Sequence, residues 1–264
     1  MASAGRGQTG LVPDVPTPST PTPAPDAVVR YADHPDGIAD VYVPASPARG
    51  TVLWLHGGFW RAQWDRAHAR VAADDLRRRG YLVALPEYRR TGARGARSGG
   101  WPATFEDVRT VAARLPDLLG DHDVVARGYM VAGHSAGGHL ALWLASEALP
   151  IQRVVALAPV GDLRDGYARR LGGGAVRALM GGSPARHTAD YDAADPAVRL
   201  QHPPACEVVV LHGTHDKAVP IANSEWTRGL PHVELRPLPT GHFELIDPAD
   251  PVWAEVLGAL GGVS

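Results

Sequence analysis

Three residue types that together can break a carbonyl bond occur in the chain in an order that suits one reaction. Ser135 is the centre of Gly-His-Ser-Ala-Gly at residues 133–137, Asp216 follows the apolar run 208–211, and His242 comes last. A serine hydroxyl is a weak nucleophile until a histidine removes its proton, and a carboxylate orients that histidine. The chain therefore carries candidates for a nucleophile, a base and an orienting acid.

The context of Ser135 predicts a nucleophile elbow. The apolar run 129–132 is typical of a strand, and the helix-forming segment 139–145 follows the motif at once. The two glycines of the motif let neighbouring backbone approach a strained turn closely. We expect the Ser135 hydroxyl at the carboxyl edge of a sheet, with the N–H of Ala136 pointing into the same site from a helix N-terminus. The alternative is a glycine-rich turn that carries an ordinary serine.

The choice of base has competitors, because the chain contains 12 histidines. His212 and His215 lie near Asp216 in sequence and could stabilise its loop instead. These three residues could also be metal ligands, but no fourth ligand at a familiar spacing accompanies them, so we predict no metal and no organic cofactor. His242 lies just past a predicted strand, with a glycine before it that allows a tight turn, and is the predicted base.

The choice of acid depends on chain order. Glu244 and Asp247 are alternatives to Asp216, but both follow His242. In a sheet that carries a nucleophile elbow, the order is serine, then acid, then histidine. Asp216 is therefore the predicted orienting acid.

A second glycine motif offers hydrogen-bond donors for a negatively charged intermediate. His-Gly-Gly-Phe-Trp at residues 56–60 follows the strand-like run 51–55. A tetrahedral intermediate needs such donors, and removing one typically costs about 10²- to 10³-fold in rate. We predict an oxyanion hole formed by the main-chain N–H groups of Gly58, Phe59 and Ala136. The alternative is a simple glycine turn.

Composition bounds the other function classes. The chain has 264 residues, with 26 basic and 28 acidic side chains and a net charge of −2, so no overall field favours nucleic acid or an anionic membrane. The single cysteine, Cys206, cannot form an intramolecular disulfide. The N-terminus has no continuous apolar segment, and no run approaches the length of a membrane-spanning helix. We expect a cytoplasmic protein with a small-molecule substrate, and a homodimer remains open.

The organisation of the chain favours one α/β domain over residues 28–264, preceded by a disordered tail over residues 1–27 that is rich in proline and threonine. An antiparallel hairpin is predicted around the turn signal at residues 34–37. Strand-like and helix-like segments then alternate, which implies a mostly parallel sheet with helices on both faces. Residues 161–203 interrupt the alternation and are predicted to form a lid-like insertion.

A basic, glycine-rich loop at residues 89–97 is a second interruption. It could bind an anionic substrate, although a solvated loop is the simpler interpretation.

Together, the motifs around Ser135 and Gly58 and the placement of Asp216 and His242 resemble the α/β-hydrolase fold. The resemblance is to its esterase and lipase branch, which includes hormone-sensitive-lipase-like esterases and kynurenine formamidase, and it covers residues 28 to 262. It implies a mostly parallel eight-stranded sheet with a small lid-like insertion and a serine hydrolase that needs no cofactor.

Two details are similar to the formamidase side of that branch. The first is Trp60 after His-Gly-Gly-aromatic, with Phe59 in place of the usual tyrosine, and the second is His134 in the elbow. They favour an arylformamidase with an aromatic substrate such as N-formylkynurenine, for which Trp60 and Trp101 could form an apolar wall. A carboxylesterase for short acyl esters would use the same catalytic residues. A non-catalytic binding module is the alternative from another class, and an acyl-peptidase is a fourth.

Overall fold

A computed structural model describes residues 22–120 and 128–261 of the chain. Residues 1–21 of the predicted tail lie outside the described part. The described residues contain one eight-stranded sheet. Its strands are β1 (Ala27–Arg30), β2 (Ile38–Tyr42), β3 (Gly50–Leu55), β4 (Tyr81–Pro86), β5 (Tyr129–His134), β6 (Ile151–Leu157), β7 (Glu207–Gly213) and β8 (Val233–Leu238).

The helices lie between the strands, as the alternation predicts, except for the last helix, which follows β8. They are α1 (Arg70–Arg78), α2 (Ala103–Leu119), α3 (Ala136–Ala145), α4 (Leu163–Ala168), α5 (Leu171–Met180), α6 (Thr188–Ala194), α7 (Pro196–Arg199) and α8 (Trp253–Ala259). None of the helices in the described ranges is both long and apolar enough to cross a membrane.

The strand order across the sheet is β1-β2-β4-β3-β5-β6-β7-β8. β1 pairs antiparallel with β2, and β2 pairs antiparallel with β4, so the hairpin predicted from the turn at residues 34–37 is confirmed. Every other neighbouring pair is parallel. The predicted fold is therefore confirmed: the chain has a mostly parallel α/β-hydrolase sheet.

The two faces of the sheet carry separate cores because side chains alternate along each strand. In β3, Leu53 and Leu55 point into the core that α2 and α3 cover, whereas Trp54 points into the core that α1 and α8 cover. On the second face, the indole rings of Trp54 and Trp253 pack with their centroids 5.9 Å apart. With helices over both faces, the ends of the strands are the open part of the layered structure.

The carboxyl ends of four strands deliver the candidate site. The oxyanion-loop motif follows β3, the elbow follows β5, Asp216 follows β7, and His242 follows β8. Because these strands are parallel, all four segments meet at the same edge of the sheet.

Residues 161–203 form four short helices, α4 to α7, after β6. α5 begins with an unusual turn, because Gly172, Gly173 and Gly174 have φ values of 56°, 66° and 92°. Only glycine adopts such a run without steric cost. The guanidinium of Arg61, from the loop after β3, donates to the carbonyl of Gly172. The insertion is thereby joined to the loop that carries the oxyanion-hole motif.

Several arginines of the basic loop at residues 89–97 are paired with buried carboxylates instead of being solvated. Arg89 donates to Asp107 through Nε at 3.0 Å and Nη2 at 2.7 Å. Arg90 lies 3.2 Å from Glu87 and 3.5 Å from Asp36. A buried carboxylate is costly without a cation beside it, which explains these pairs. Neither of these arginines is free to bind a substrate.

Candidate active site

The elbow at Ser135 has the strained geometry that its motif predicts. Ser135 has φ 55° and ψ −116°, which is unusual for a residue with a side chain. A Cβ at Gly133 would lie 2.3 Å from the carbonyl oxygen of Gly137, and a Cβ at Gly137 would lie 2.0 Å from that of Leu55. Both motif glycines are therefore required, because the elbow packs directly on its own helix and on the end of β3.

Hydrogen bonds fix the backbone of Ser135. Its N–H donates to the carbonyl of Leu157 at 2.8 Å, and its carbonyl accepts from the N–H of His139 at 3.0 Å. The residue is only 2% exposed. Ala136 is the first residue of α3, so its N–H is one of the donors that a helix N-terminus leaves without an intrahelical partner. Ser135 and Ala136 thus lie at the junction of β5 and α3.

The loop after β3 passes against Ser135. A Cβ at Gly57 would lie 3.3 Å from the Cβ of Ser135. Beyond it, Gly58 has φ 106°, and Phe59 and Trp60 follow with φ 51° and 56°. Two consecutive non-glycine residues in the left-handed region are strained, so the surrounding structure must hold this loop in place.

The side chain of His56 supplies part of that support. Its Nε2 donates to Oε1 of Glu87 at 2.8 Å, and its ring stacks on Tyr88 with the centroids 4.3 Å apart. The Tyr88 hydroxyl donates to the carbonyl of His56 at 2.8 Å. Burial raises the pKa of Glu87, but His56 and Arg90 outweigh burial and lower it to about 2. Glu87 is thus a buried anion that anchors the loop after β3, and no sequence motif predicts this role.

The predicted acid and base form a close pair. Nδ1 of His242 donates to Oδ2 of Asp216 at 2.6 Å. The other carboxylate oxygen, Oδ1, accepts the N–H groups of Ala218 and Val219, both at 2.8 Å. Burial raises the pKa of Asp216, but the neighbouring imidazoles of His212 and His242 outweigh burial and hold it below the usual range. A charged Asp216 thereby fixes His242 with the proton on Nδ1, which leaves Nε2 as the basic nitrogen.

The competing residues have other partners. Nε2 of His212 donates to the carbonyl of Val219 at 2.8 Å, and its Nδ1 accepts from the hydroxyl of Ser224 at 2.8 Å. Asp247 accepts the N–H of Ala249 in its own turn. His212 therefore stabilises the Asp216 loop, as the sequence allowed.

His134 connects the elbow to the His242 loop. Its Nε2 donates to the carbonyl of His242 at 2.9 Å, and the two rings lie with their centroids 4.5 Å apart. On the other side, a Cβ at Gly57 would lie 3.0 Å from His134 Nδ1. Burial lowers the pKa of His134 well below the ordinary value. The motif shows that a histidine precedes Ser135, but the sequence contains no signal for its partner 108 residues later.

The two tryptophans predicted as a substrate wall have structural partners. Trp60 is fully buried, and its ring meets His139 edge-on at 5.1 Å. Nε1 of Trp101 donates to Oδ1 of Asp190 in the insertion at 3.0 Å. The ring of Trp60 is thus enclosed by protein, whereas that of Trp101 is partly exposed.

A different tryptophan lies on the oxyanion loop. Trp64 is partly exposed, and a Cβ at Gly58 would lie 2.3 Å from the Cβ of Trp64. Next to it, with ring centroids 6.5 Å apart, is His68. Burial and the neighbouring His56 lower the pKa of His68 to about 4, so its imidazole is neutral at neutral pH. The sequence does not predict that Trp64 and His68 lie beside this loop, because no motif spacing marks them.

A cleft of about 850 Å³ lies beside the His242 loop. Its lining includes His242, Phe243, Lys217 and Glu244. Lys217 is exposed and immediately follows Asp216. The loops that carry Asp216 and His242 thus also form one wall of an open surface cleft.

Comparisons with known proteins agree with this architecture. A family model described as BD-FAE matches residues 39–228, which is more than half of the chain. No curated protein matches the chain in sequence.

Solved structures with the same fold include three esterases. Esterase B from Lactobacillus rhamnosis, solved with a C4-C4 tributyrin phosphonate, aligns with a TM-score of 0.71 and 18% identity over 88% of this chain and 84% of that chain. Esterase 2 from Thermogutta terrifontis with bound propionate aligns with a TM-score of 0.66 and 20% identity over 88% of this chain and 90% of that chain. A truncated carbohydrate esterase from gut microbiota aligns with a TM-score of 0.68 and 17% identity over 85% of this chain and 92% of that chain.

Proposed function

The chain belongs to the BD-FAE family, and on that premise we propose that it is a serine esterase that hydrolyses esters of small carboxylic acids through an acyl-enzyme on Ser135. The observation that carries the proposal is the 2.6 Å hydrogen bond between His242 and Asp216, together with the bond from His134 to the His242 carbonyl. These two contacts bring the acid and the base to the strained elbow. A fold kept only for binding has no need of this combination.

In the proposed reaction, Nε2 of His242 removes the proton of the Ser135 hydroxyl while the serine oxygen attacks the ester carbonyl. Asp216 stabilises the imidazolium that results. The N–H groups of Gly58, Phe59 and Ala136 stabilise the negative oxygen of the tetrahedral intermediate.

The intermediate collapses when the bond to the leaving oxygen breaks and His242 gives that oxygen its proton. Water, deprotonated by the same histidine, then attacks the acyl-enzyme and releases the acid and the free serine. No step requires an electron acceptor or a second substrate besides water.

The closed surroundings of Ser135 support a small acyl group. Phe59 is buried, and a Cβ at Gly172 would lie 2.8 Å from its ring, so the insertion sits directly on the oxyanion loop. The propionate and the C4 phosphonate named for two of the solved esterases are also short. Long acyl chains would require the insertion to move.

An aryl formamide is the second candidate substrate, because a formyl group is the smallest acyl group. The sequence features at Phe59, Trp60 and His134 that resemble formamidases support it. An anilide anion is a much poorer leaving group than the phenoxide of an activated ester, so protonation of the leaving nitrogen by His242 matters more for this substrate. In this version of the reaction, we propose that the aromatic ring of the substrate rests on the exposed side of Trp64.

Purified protein can be compared on p-nitrophenyl acetate, butyrate and octanoate and on N-formylkynurenine, with Ser135→Ala as the blank and Ser98→Ala, an exposed serine, as the matched control. We expect kcat/KM to fall steeply from butyrate to octanoate, and activity to vanish in Ser135→Ala alone. A kcat/KM for N-formylkynurenine that exceeds the acetate value by orders of magnitude would assign the protein as an arylformamidase. Activity that persists in Ser135→Ala would refute the nucleophile.

Covalent labelling gives an independent check of the same serine. A p-nitrophenyl alkylphosphonate should add one equivalent to the wild type, visible by intact mass, and none to Ser135→Ala. Equal labelling of both proteins would refute the assignment.

A further inference from the structure

His134 touches both loops that serve Ser135 but has no place in the proposed reaction. Its Nε2–H donates to the main-chain carbonyl of His242, and its Nδ1 is a buried nitrogen without a hydrogen-bond partner in the structure. Its ring lies against Gly57 on one side and the His242 ring on the other. The residue is therefore inserted between the oxyanion loop and the loop of the base.

The hydrogen bond defines the state of the ring. A carbonyl can only accept, so the proton is on Nε2, and burial disfavours a second proton on Nδ1. A neutral ring also avoids placing two cations side by side when His242 becomes protonated. His134 therefore cannot act as a general acid, and its contribution must come through geometry.

We propose that His134 is a positioning residue that ties the base to the nucleophile. This inference rests on the proposed function. Ser135 is covalently adjacent to His134, and the bond from His134 ends on the peptide of His242 itself, so one side chain sets the spacing of the two reacting residues. Misplacement of reacting groups by about 1 Å can cost about 10²-fold in rate.

The bond matters because, in the part of the chain that the structure describes, the other hydrogen bonds from the His242 loop to the sheet run to the segment after β7. β8 is the edge strand, and the loop after it is supported by the N–H of His215, which donates to the carbonyl of Thr240 at 3.0 Å. That contact and the Asp216 pair both lead to the β7 loop. The His134 bond leads instead to the elbow after β5, which is two strands further in.

The structure provides a matched control in His139. It is also buried, its pKa is lowered to about 3 by burial, and its Nε2 donates to a carbonyl, that of Ala194, at 3.1 Å. Its Nδ1 likewise lacks a partner in the structure. The two side chains differ in what they hold, because the bond of His139 ends on Ala194 in the insertion and that of His134 ends on His242 of the proposed catalytic set. The bond from His139 to Ser135 uses the main-chain N–H, which His139→Leu retains.

The experiment compares His134→Leu, His134→Gln and His139→Leu. Leucine removes the donor, whereas glutamine keeps a neutral N–H at similar reach. We expect His134→Leu to lower kcat on p-nitrophenyl acetate by 10- to 100-fold with KM within threefold, and His134→Gln to recover most of that loss. His139→Leu should lose a similar amount of thermal stability but keep kcat within threefold.

A second readout does not depend on turnover. In ¹⁵N-edited proton NMR, the Nδ1–H of His242 should exchange with solvent faster in His134→Leu than in the wild type or in His139→Leu. Equal kcat in the Leu and Gln variants, an equal loss in His139→Leu, or unchanged exchange would each overturn the positioning role. A wild type that no phosphonate labels at Ser135 would instead contradict the proposed function, while the exchange measurement would still decide whether His134 orders the loop.

Discussion

Replacing Asp216 by asparagine should keep the shape of the site but move the proton of the His242 ring from Nδ1 to Nε2. Oδ1 of Asp216 accepts two backbone N–H groups, from Ala218 and Val219, at 2.8 Å each. In the variant, these donors require the amide oxygen at the same position. The amide NH₂ must then replace Oδ2 and point at Nδ1 of His242, which stands 2.6 Å from Oδ2 in the wild type. Two donors cannot share that contact, so the imidazole must place its proton on Nε2.

An Nε2–H imidazole cannot accept the proton of Ser135. The same change in a serine protease lowers kcat by about 10⁴-fold. For an activated ester, whose leaving group needs less protonation, we expect a loss of about 10³- to 10⁴-fold, equivalent to about 4–5.5 kcal/mol of transition-state stabilisation. KM should change little, because the buried carboxylate of Asp216 does not touch the substrate.

The assay is kcat and KM for p-nitrophenyl acetate at pH 7.5, with the melting temperature measured alongside. Asp247→Asn is the control, because Asp247 follows His242 and its side chain accepts the N–H of Ala249 in its own turn. It should keep kcat within twofold. A kcat for Asp216→Asn within tenfold of the wild type would refute the assignment of the acid and the argument from the two backbone donors.

Three further predictions concern the surroundings of the site. Gly57→Ala should lower kcat by about 10- to 100-fold with little loss of folding. The added Cβ would lie 3.0 Å from His134 Nδ1 and 3.3 Å from the Ser135 Cβ, so the loop must shift by a few tenths of an ångström. An unchanged kcat would contradict the close packing. The pKa of Glu87 is lowered from 4.5 to about 2. The ionised carboxylate should therefore contribute about 3 kcal/mol to the free energy of unfolding above pH 4.5, and this contribution should be lost as the pH falls toward 2. Acid unfolding of Glu87→Gln should lack that part of the pH dependence. The pKa of Asp195 is instead raised from 3.8 to about 6 by burial, so its stability contribution should grow as the pH falls from 6 to 4; urea unfolding of Asp195→Asn should lose this trend, and an unchanged slope would argue against it.

The order of elements was predictable because each strand after the hairpin is an apolar run that ends at a glycine, proline or polar loop. Ser135, Asp216 and His242 could be placed because their loops follow such runs, and parallel strands bring those loops to one edge. The structure places all three there. The pairing of Asp216 with His242 followed from chain order alone, since the fold imposes that order.

Contacts that depend on the direction of a side chain could not be predicted from the sequence. The motif identifies His134 and Trp60, but only the backbone at a strained turn decides that His134 faces His242 and that Trp60 is buried against His139. Likewise, the basic loop gave no indication that Arg89 would reach Asp107. The cytoplasmic location, the homodimer and the single domain with its lid-like insertion stay predictions.

Lys217 places a primary amine on the wall of the cleft beside His242. It is the single lysine among the 264 residues, and it is exposed next to Asp216 on the cleft wall. Reagents that acylate primary amines therefore have one side chain to modify, apart from the N-terminus. Coupling the protein to an amine-reactive support would attach it through the acid loop, whereas a fluorophore on Lys217 would report on ligands that enter the cleft.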